Sequence, residues 1–212
     1  MLVIAIDGPG AAGKGTLAKR LAGHLGLDYL DSGSLYRAVA WRVLQAGADP
    51  ADSEAALKEA RRLTPEDLGR PELRNERVAR AAAILAQFPP VRTELTDFQR
   101  RFAANPPGGR GAVIDGRDIG TVVCPKAKAK LFVTASAEER ARRRTLELQE
   151  RGERATYDAV LEELEARDRR DRERAVAPLV AAPDAHVLDT TDLGPDAAFA
   201  AALEYVTGLS AG

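Results

Sequence analysis

Residues 2–16 read "LVIAIDGPGAAGKGT", and this stretch determines which fold the rest of the chain can complete. An aliphatic run ends at Asp7, and a turn that contains four glycines follows it. Beyond the turn, Leu17, Leu21 and Leu25 recur at the four-residue spacing of one helix face. The stretch therefore predicts a buried strand, a glycine-rich loop and an amphipathic helix that begins near Lys14.

The loop has the composition of a phosphate-binding loop. Glycines let backbone N–H groups approach phosphate oxygens closely, and the following helix N-terminus adds a favourable dipole. Lys14 would reach the outer phosphates of a nucleotide as a positive point charge. A tight turn that is glycine-rich by chance is the alternative. The residues that we expect to bind the nucleotide are Gly8, Pro9, Gly10, Ala11, Ala12, Gly13, Lys14, Gly15 and Thr16.

One position departs from the common form of this loop. Ser or Thr usually follows the lysine and its hydroxyl ligates magnesium, whereas Gly15 stands there and Thr16 comes one place late. Magnesium commonly keeps several waters and is then held by substrate phosphates and water-bridged carboxylates, so the missing hydroxyl does not exclude it. Asp115 is our candidate for an outer-sphere metal contact, with simple capping of its loop as the alternative.

Four further apolar segments indicate buried strands, at 28–30, 112–115, 130–135 and 186–190. Helical patterns lie between them, including one opened by Ser136 and one opened by Pro195. Strands that alternate with helices predict an α/β fold with a doubly wound, parallel, five-stranded sheet.

The remaining segments predict a single domain over 1–212 with two peripheral parts. Residues 47–92 show helix and loop patterns without a convincing strand, and residues 145–174 are highly charged. We therefore expect a core over about 1–36, 93–144 and 175–212, a small insert over about 37–92, and a helical lid over about 145–174.

Composition limits the function classes. The formal net charge is −1, which gives no general basic field for nucleic acid. Arg outnumbers Lys by 25 to 6, a bias that favours anion recognition or else reflects genomic base composition. Cys124 is the single cysteine, which fits a reducing cytoplasm, and the N-terminal apolar run is too short for a membrane span. We expect a cytoplasmic monomer without nucleic-acid or membrane partners.

Three other clusters carry charge near predicted strand ends or on a helix. They are "LDSGSLYR" at 30–37, "DGRDIGT" at 115–121 and "RDRRDRERAVAPL" at 167–179. Ser32 is a plausible helix cap. Arg167, Asp171 and Arg174 would share one helix face, either as an exposed ion-pair ladder or as part of a site.

These clusters, together with "FPPVR" at 88–92 and in this order, resemble the cytidylate kinase family of P-loop nucleoside monophosphate kinases over nearly the whole chain. The resemblance implies phosphorylation of CMP and dCMP by ATP with Mg²⁺, and an acceptor-binding role for the insert. It implies that Arg37, Arg117 and Arg174 grip the acceptor phosphate and act in catalysis with Lys14. It assigns base reading to Arg92 and Asp118, the ribose to Arg167 and Asp171, and a further contact to Ser32.

Two departures from the family pattern are visible. The family usually has a serine that touches the base where Ala83 stands here, so one hydrogen bond to the base is expected to be missing. The insert is too short for the family's small antiparallel sheet, so we expect it to be smaller and more helical. Among the lid arginines Arg140, Arg144, Arg151 and Arg154, we assign Arg144 to ATP.

Two other functions remain open from the residues. One is a kinase for UMP or another small acceptor, such as an alcohol with Asp31 or Asp118 as base. The other is an ATP-gated module that binds RNA or protein through its arginine-rich helix. Acidic residues interleaved through 158–173 argue against the second of these.

Overall fold

A computed structural model describes residues 1–174 and 176–209. The described residues form a five-stranded parallel sheet in the order β2-β3-β1-β4-β5, as the sequence predicts. The strands are β1 (Leu2–Asp7), β2 (Asp28–Asp31), β3 (Gly111–Gly116), β4 (Ala129–Thr134) and β5 (His186–Asp189).

The strand order determines where a ligand can bind. β1 is the central strand and pairs in parallel with β3 on one side, Ile4 beside Val113, and with β4 on the other, Ile6 beside Leu131. The chain leaves β1 towards β2 and β3 on one side, and later continues to β4 and β5 on the other. In open α/β sheets such a switch point leaves a crevice at the carboxyl ends of the strands. The glycine loop follows β1 directly and therefore lies at that crevice.

Helices flank the sheet, and local signals in the sequence explain several of their ends. Asp52 and Asn75 cap two helices by accepting backbone N–H bonds, and Gly26 ends another in the left-handed conformation. The helices are α1 (Lys14–Leu25), α2 (Ser32–Gln45), α3 (Ser53–Ala60), α4 (Glu76–Leu85), α5 (Pro89–Ala104), α6 (Ala137–Glu150), α7 (Tyr157–Glu173) and α8 (Pro195–Gly208).

The chain divides into two compact units. The first contains Met1–Leu30 and the described residues from Asn105 onward, and the second contains Asp31–Ala104. The core of the first unit lies between the sheet and helices α1 and α8, where Ile6, Leu21 and Ala202 are fully or almost fully buried. This core holds the glycine loop on a rigid base.

The second unit is helical, and its described residues 47–92 contain no strand. Two short 3-10 helices, Pro65–Gly69 and Pro71–Arg74, stand where the sequence leaves too little room for a small sheet. Arg42 links the first of them to α3, because its side chain donates to Glu59 at 3.0 Å and to Asp67 at 3.1 Å. Buried charges that are paired in this way hold a short segment in one arrangement.

An arginine also covers the tryptophan of this unit. The Arg70 guanidinium lies 4.2 Å from the centroid of the Trp41 ring and donates to Asp67 at 3.3 Å. Burial raises the pKa of Asp67, but hydrogen bonds from Thr64 N–H, Arg70 and Arg42 outweigh it and hold the pKa below its usual value. The carboxylate is therefore charged at neutral pH and holds both arginines in place.

Two details differ from the sequence prediction. Ser32 is not the cap of α2: it is the first residue of the helix, and the Asp31 carboxylate accepts from Ser34 N–H at 3.2 Å instead. α7 ends at Glu173, so Arg174 follows the helix with an extended backbone and does not continue the face of Arg167. Among the described residues, no helix has the length and apolar character that crossing a bilayer requires.

Candidate active site

The glycine loop folds tightly against strand β4. Gly8 has φ 147°, and a β-carbon there would lie 2.0 Å from the Val133 carbonyl oxygen, so only glycine fits. Gly13 adopts φ 83° directly before α1. Lys14 is the first residue of that helix, and its ammonium group donates to the Pro9 carbonyl at 3.3 Å across the loop. The lysine side chain thus folds back over the glycine loop.

Gly15 faces the carboxylate that the sequence suggested for metal contact. A β-carbon at position 15 would lie 3.4 Å from Asp115 Oδ2 and 3.9 Å from the Tyr29 hydroxyl oxygen. Tyr29 donates to Asp115 Oδ1 at 3.2 Å, and Asp115 is only 4% exposed. The carboxylate therefore lies beside the position where other phosphate loops carry a hydroxyl group. Tyr29 was not singled out by the sequence, because a tyrosine on a weak strand has no local signature.

Asp7 connects the glycine loop to the loop after β3. Its two carboxylate oxygens accept from Ile119 N–H at 2.8 Å and from Gly120 N–H at 2.7 Å. Burial raises the pKa of Asp7 to about 6, although these two N–H donors and nearby Arg117 act in the opposite direction. The last residue of β1 thus orients the segment that begins with Arg117 and Asp118.

A cavity of about 400 Å³ opens beside the glycine loop, within the first unit. Arg144 lies at its edge and donates to Glu147 at 2.8 Å. The wall opposite the loop is partly apolar, as a nucleobase requires. Its lining outside the glycine loop includes Arg20, Val133, Arg143, Arg144, Glu147, Thr190, Leu193, Pro195 and Ala198.

Arg143, which the sequence did not indicate, shapes one side of this cavity. Its guanidinium donates to the Thr190 carbonyl at 2.6 Å and to the Thr190 hydroxyl at 3.1 Å. It also donates to Glu139 at 3.0 Å on its own helix. The segment after β5 is therefore held against α6, and its position defines the width of the cavity.

Two of the predicted acceptor arginines converge on the glycine loop. A β-carbon added to Gly10 would lie 3.8 Å from Arg117 Nη2 and 3.8 Å from Arg167 Nη1. Arg117 also donates from Nε to Asp171 Oδ2 at 3.0 Å, which joins the loop after β3 to α7. The structure thus brings together three residues that the sequence placed 50 or more positions apart, Arg117 on one side and Arg167 and Asp171 on the other.

Arg174 lies just beyond α7 in the same unit. Its Nε donates to the Ala177 carbonyl, and its Nη2 lies 3.9 Å from Asp118 Oδ2. Ala177 has φ 52°, an uncommon conformation for alanine, and Pro178 follows it. The Arg174 guanidinium therefore contacts the Ala177 carbonyl and also lies near the Asp118 carboxylate.

Three predicted acceptor residues belong to the second unit. Arg37 donates to Asp31 at 2.6 Å, with both side chains about one-third exposed. Arg92 is buried on α5 and donates to the Ala86 carbonyl at 3.4 Å, and Ser32 is buried at the start of α2. Ala83 is exposed on α4. Arg92 is thus held by a backbone carbonyl inside the second unit.

The lid arginines differ in their surroundings. Arg144 borders the cavity, whereas Arg151 is exposed and pairs with Glu147, and Arg154 is exposed. Arg140 is only 4% exposed and its donors are directed at protein acceptors, so it is not available to donor phosphates in this arrangement. In the described residues, no group of three or more His, Cys, Asp or Glu side chains could hold a metal ion by itself.

Known proteins resemble the chain over its whole length. The family model described as cytidylate kinase matches residues 4–208. A cytidylate kinase of Paramagnetospirillum magneticum is 63% identical over 204 residues, which cover 96% of this chain and 97% of that protein. One of Methylocella silvestris is 56% identical over 97% of this chain and 94% of its own length.

Solved structures support the fold alone. A sugar kinase from a Janibacter species covers 98% of this chain and 95% of its own at 16% identity, with a TM-score of 0.51. A putative kinase from Chloroflexus aurantiacus covers 100% of this chain and 97% of its own at 17% identity, also with 0.51. With the family model matching residues 4–208 and relatives above 50% identity over nearly full length, the chain belongs to the cytidylate kinase family.

Proposed function

We propose that the chain transfers the γ-phosphoryl group of ATP to CMP and dCMP, giving CDP and dCDP. Family membership supports the substrate class, since the chain matches cytidylate kinases from end to end. The observation that carries the proposal is the approach of Arg117 and Arg167 to Gly10. A guanidinium nitrogen of each lies 3.8 Å from the position that a β-carbon on Gly10 would occupy. Cationic groups that face a phosphate-binding loop are suited to a second anion that must meet the first.

ATP occupies the cavity beside the glycine loop. Backbone N–H groups of the glycine loop cradle its phosphates, Lys14 turns from Pro9 to the outer phosphates, and Arg144 contacts the donor from the cavity edge. Magnesium bound with ATP would neutralise charge on the transferred phosphoryl group and on the ADP phosphate that leaves. Asp115 suits an outer-sphere contact to it, because its buried carboxylate lies beside Gly15.

CMP is held by the residues that the family resemblance assigns to the acceptor. Arg37, Arg117 and Arg174 grip its phosphate, and three guanidinium groups offset the repulsion between two polyanions. Arg92 donates to ring acceptors of cytosine, and Asp118 accepts from the exocyclic amine. The complete acceptor set is Ser32, Arg37, Arg92, Arg117, Asp118, Arg167, Asp171 and Arg174.

Phosphoryl transfer requires only that the two phosphates are positioned and that their negative charge is neutralised. An oxygen of the CMP phosphate attacks the γ-phosphorus, a new P–O bond forms, and the bond to the ADP oxygen breaks. The attacking oxygen is already ionised at neutral pH, so no general base is required. Lys14 and the arginines hold the two phosphates in line and stabilise the charge that moves onto ADP.

The insert over about 37–92 and the lid over about 145–174 complete the site. The lid closes over the reactants and excludes water that would otherwise hydrolyse ATP. The protein acts as a monomer in the cytoplasm, a location that fits its single cysteine. Family membership does not favour a non-nucleotide acceptor or an RNA-binding module.

Product formation with ATP and Mg²⁺ tests the proposal. Initial rates are measured with CMP, dCMP, UMP, AMP and shikimate as acceptors, and the products are separated by ion-exchange chromatography. We expect kcat/KM to be highest for CMP and dCMP. A chain that shows no preference for cytosine, or that binds RNA tightly without transferring phosphate, contradicts the proposal.

A further inference from the structure

Arg140 connects three segments of the first unit through a single guanidinium. Its Nε donates to the Ala135 carbonyl at 3.0 Å, and its Nη1 donates to the Gly10 carbonyl at 3.3 Å. Its Nη2 donates to Asp168 Oδ2 at 2.6 Å. The planar fork of arginine makes these contacts directional, and lysine could not reproduce all three.

Asp168, the partner of Arg140, lies among the acceptor residues of α7. It directly follows Arg167 and is three positions before Asp171, which accepts from Arg117 at 3.0 Å. The Arg140 and Asp168 side chains are 5% and 4% exposed. A buried contact therefore joins the glycine loop, through Arg140, to the helix that carries Arg167 and Asp171.

The pair is poorly suited to a purely stabilising role. Taking two charges out of water carries a large desolvation cost, which is offset only when their hydrogen bonds are complete. Within the described part of the chain, the buried Asp168 Oδ1 has no hydrogen-bond partner. Apolar side chains of similar volume often stabilise such positions equally well. A hydrophobic pair cannot, however, fix the direction and distance of the Gly10 carbonyl relative to α7.

We propose that Arg140 and Asp168 are positioning residues that set the spacing between the glycine loop and α7, and so align the acceptor phosphate with ATP. The Arg140 contact with the Gly10 carbonyl sets this spacing at the residue that Arg117 and Arg167 also approach. Misplacement of reacting groups by about 1 Å can cost about 100-fold in rate. Arg140 thus acts on the reaction through the glycine loop and α7 and not by touching ATP.

The inference rests on the proposed kinase activity, and a double substitution separates positioning from stability. Asp168→Asn leaves the Arg140 charge buried without its partner, and we expect a lower Tm and slower transfer. Arg140→Met combined with Asp168→Leu removes both charges, and we expect Tm to recover. The rate of phosphoryl transfer in a single turnover should stay at least about 10-fold below wild type in the double variant.

Equilibrium binding and a matched control make the test specific. Affinity for a non-hydrolysable ATP analogue, measured by calorimetry, should change by less than about 3-fold, because neither side chain lines the donor cavity and the expected shift is between the loop and α7. Arg142→Lys makes an arginine substitution on the same helix at a side chain that is 64% exposed, and it should leave the rate unchanged. Recovery of both Tm and the single-turnover rate in the double variant would overturn the proposal.

A further variant, Arg140→Lys, keeps the proposal testable if the double variant does not fold. Arg140→Lys keeps the positive charge opposite Asp168 but loses the fork, so a folded Arg140→Lys protein decides the matter. A rate at least about 10-fold below wild type supports positioning, and a wild-type rate refutes it. Wild-type protein that forms no CDP at all contradicts the proposed function, whereas active wild type with equally active variants contradicts only this inference.

Discussion

The Asp115 carboxylate lies directly beside Gly15, 3.4 Å from the position of a β-carbon at that residue. In loops with serine or threonine at this place, a hydroxyl occupies the space next to the lysine. Here that neighbourhood belongs to a buried carboxylate from β3, held by the Tyr29 hydroxyl at 3.2 Å. Gly15 is therefore accompanied by a carboxylate oxygen from another strand.

Asp115→Asn should weaken the response to magnesium. The amide keeps the shape of the side chain but loses the charge that attracts a hydrated cation, so the half-saturating Mg²⁺ concentration should rise by at least about 5-fold. Mg²⁺ titrations of CDP formation at fixed ATP measure this. Asp97→Asn, at a carboxylate that is 52% exposed on α5, serves as control. An unchanged magnesium response would remove Asp115 from the metal contact.

Lys14→Ala should abolish most phosphoryl transfer while the fold persists. Lys14 is the first residue of α1 and only partly buried, so alanine, a strong helix former, should keep the helix and the fold. Loss of one donor aimed at developing charge typically costs about 100-fold to 1,000-fold in kcat. Single-turnover rates and circular dichroism measure the two properties. Lys58→Ala, at an exposed residue of α3, should behave like wild type, and wild-type turnover of Lys14→Ala would refute the role.

Asp118→Ala should reduce activity more with CMP than with UMP. The carboxylate is expected to accept from the cytosine amine and to repel the uracil carbonyl, so its loss should lower the CMP/UMP ratio of kcat/KM by at least about 10-fold. Arg174 lies 3.9 Å from Asp118, so part of the loss should affect both substrates equally. The ratio isolates the effect on base reading. Equal losses with the two acceptors would show that Asp118 acts only through Arg174.

Asp7 should make the protein less stable as pH rises towards neutrality. Burial raises the pKa of Asp7 from 3.8 to about 6, so the folded state holds the proton more tightly than the unfolded state. The stabilisation is complete below about pH 4 and is lost as pH rises to about 6, an effect of about 3 kcal/mol. Carboxyls with lowered pKa values, such as Asp67, change stability in the opposite direction.

Urea unfolding of wild type and Asp7→Asn between pH 4 and pH 7.5 tests this pH dependence, because the two free energies of unfolding can be subtracted. Asp7→Asn cannot titrate, so the free energy of unfolding of wild type minus that of the variant should fall across this interval. Contributions from other carboxyls cancel in the difference. Arg117 and Asp118 are the charged groups near Asp7, and both are present in the two proteins. A difference that stays constant with pH would show that Asp7 remains ionised throughout.

Local sequence signals predicted most of the fold. Buried strands consist of short aliphatic runs, and the glycine loop combines a motif with the strand and helix that such a loop requires. The predicted strand 130–135 and the observed β4 (Ala129–Thr134) differ by one residue, because strand ends depend on pairing with neighbours. Ser32 was expected as a cap because of its residue type, but Asp31 is one position earlier and reaches Ser34 N–H.

Contacts between distant segments could not be predicted in the same way. Arg140 belongs to a helix rich in charged residues, whose pattern gives no local signal for a buried arginine, and only the fold shows that it is buried against Gly10 and Asp168. Asp7 was noted as a strand end, yet its two backbone donors are more than 100 positions away. Both residues gain their roles from parallel strands that end at the same edge of the sheet.

Trp41 gives the second unit an optical signal of its own. It is the only tryptophan in the sequence, and the Arg70 guanidinium lies over its ring. Tryptophan emission, excited apart from tyrosine, therefore reports on one helix of the second unit and is sensitive to the charge above the indole. Occupancy of that unit by an unlabelled pyrimidine nucleotide can be followed by emission intensity, without a coupled enzyme and without a dye.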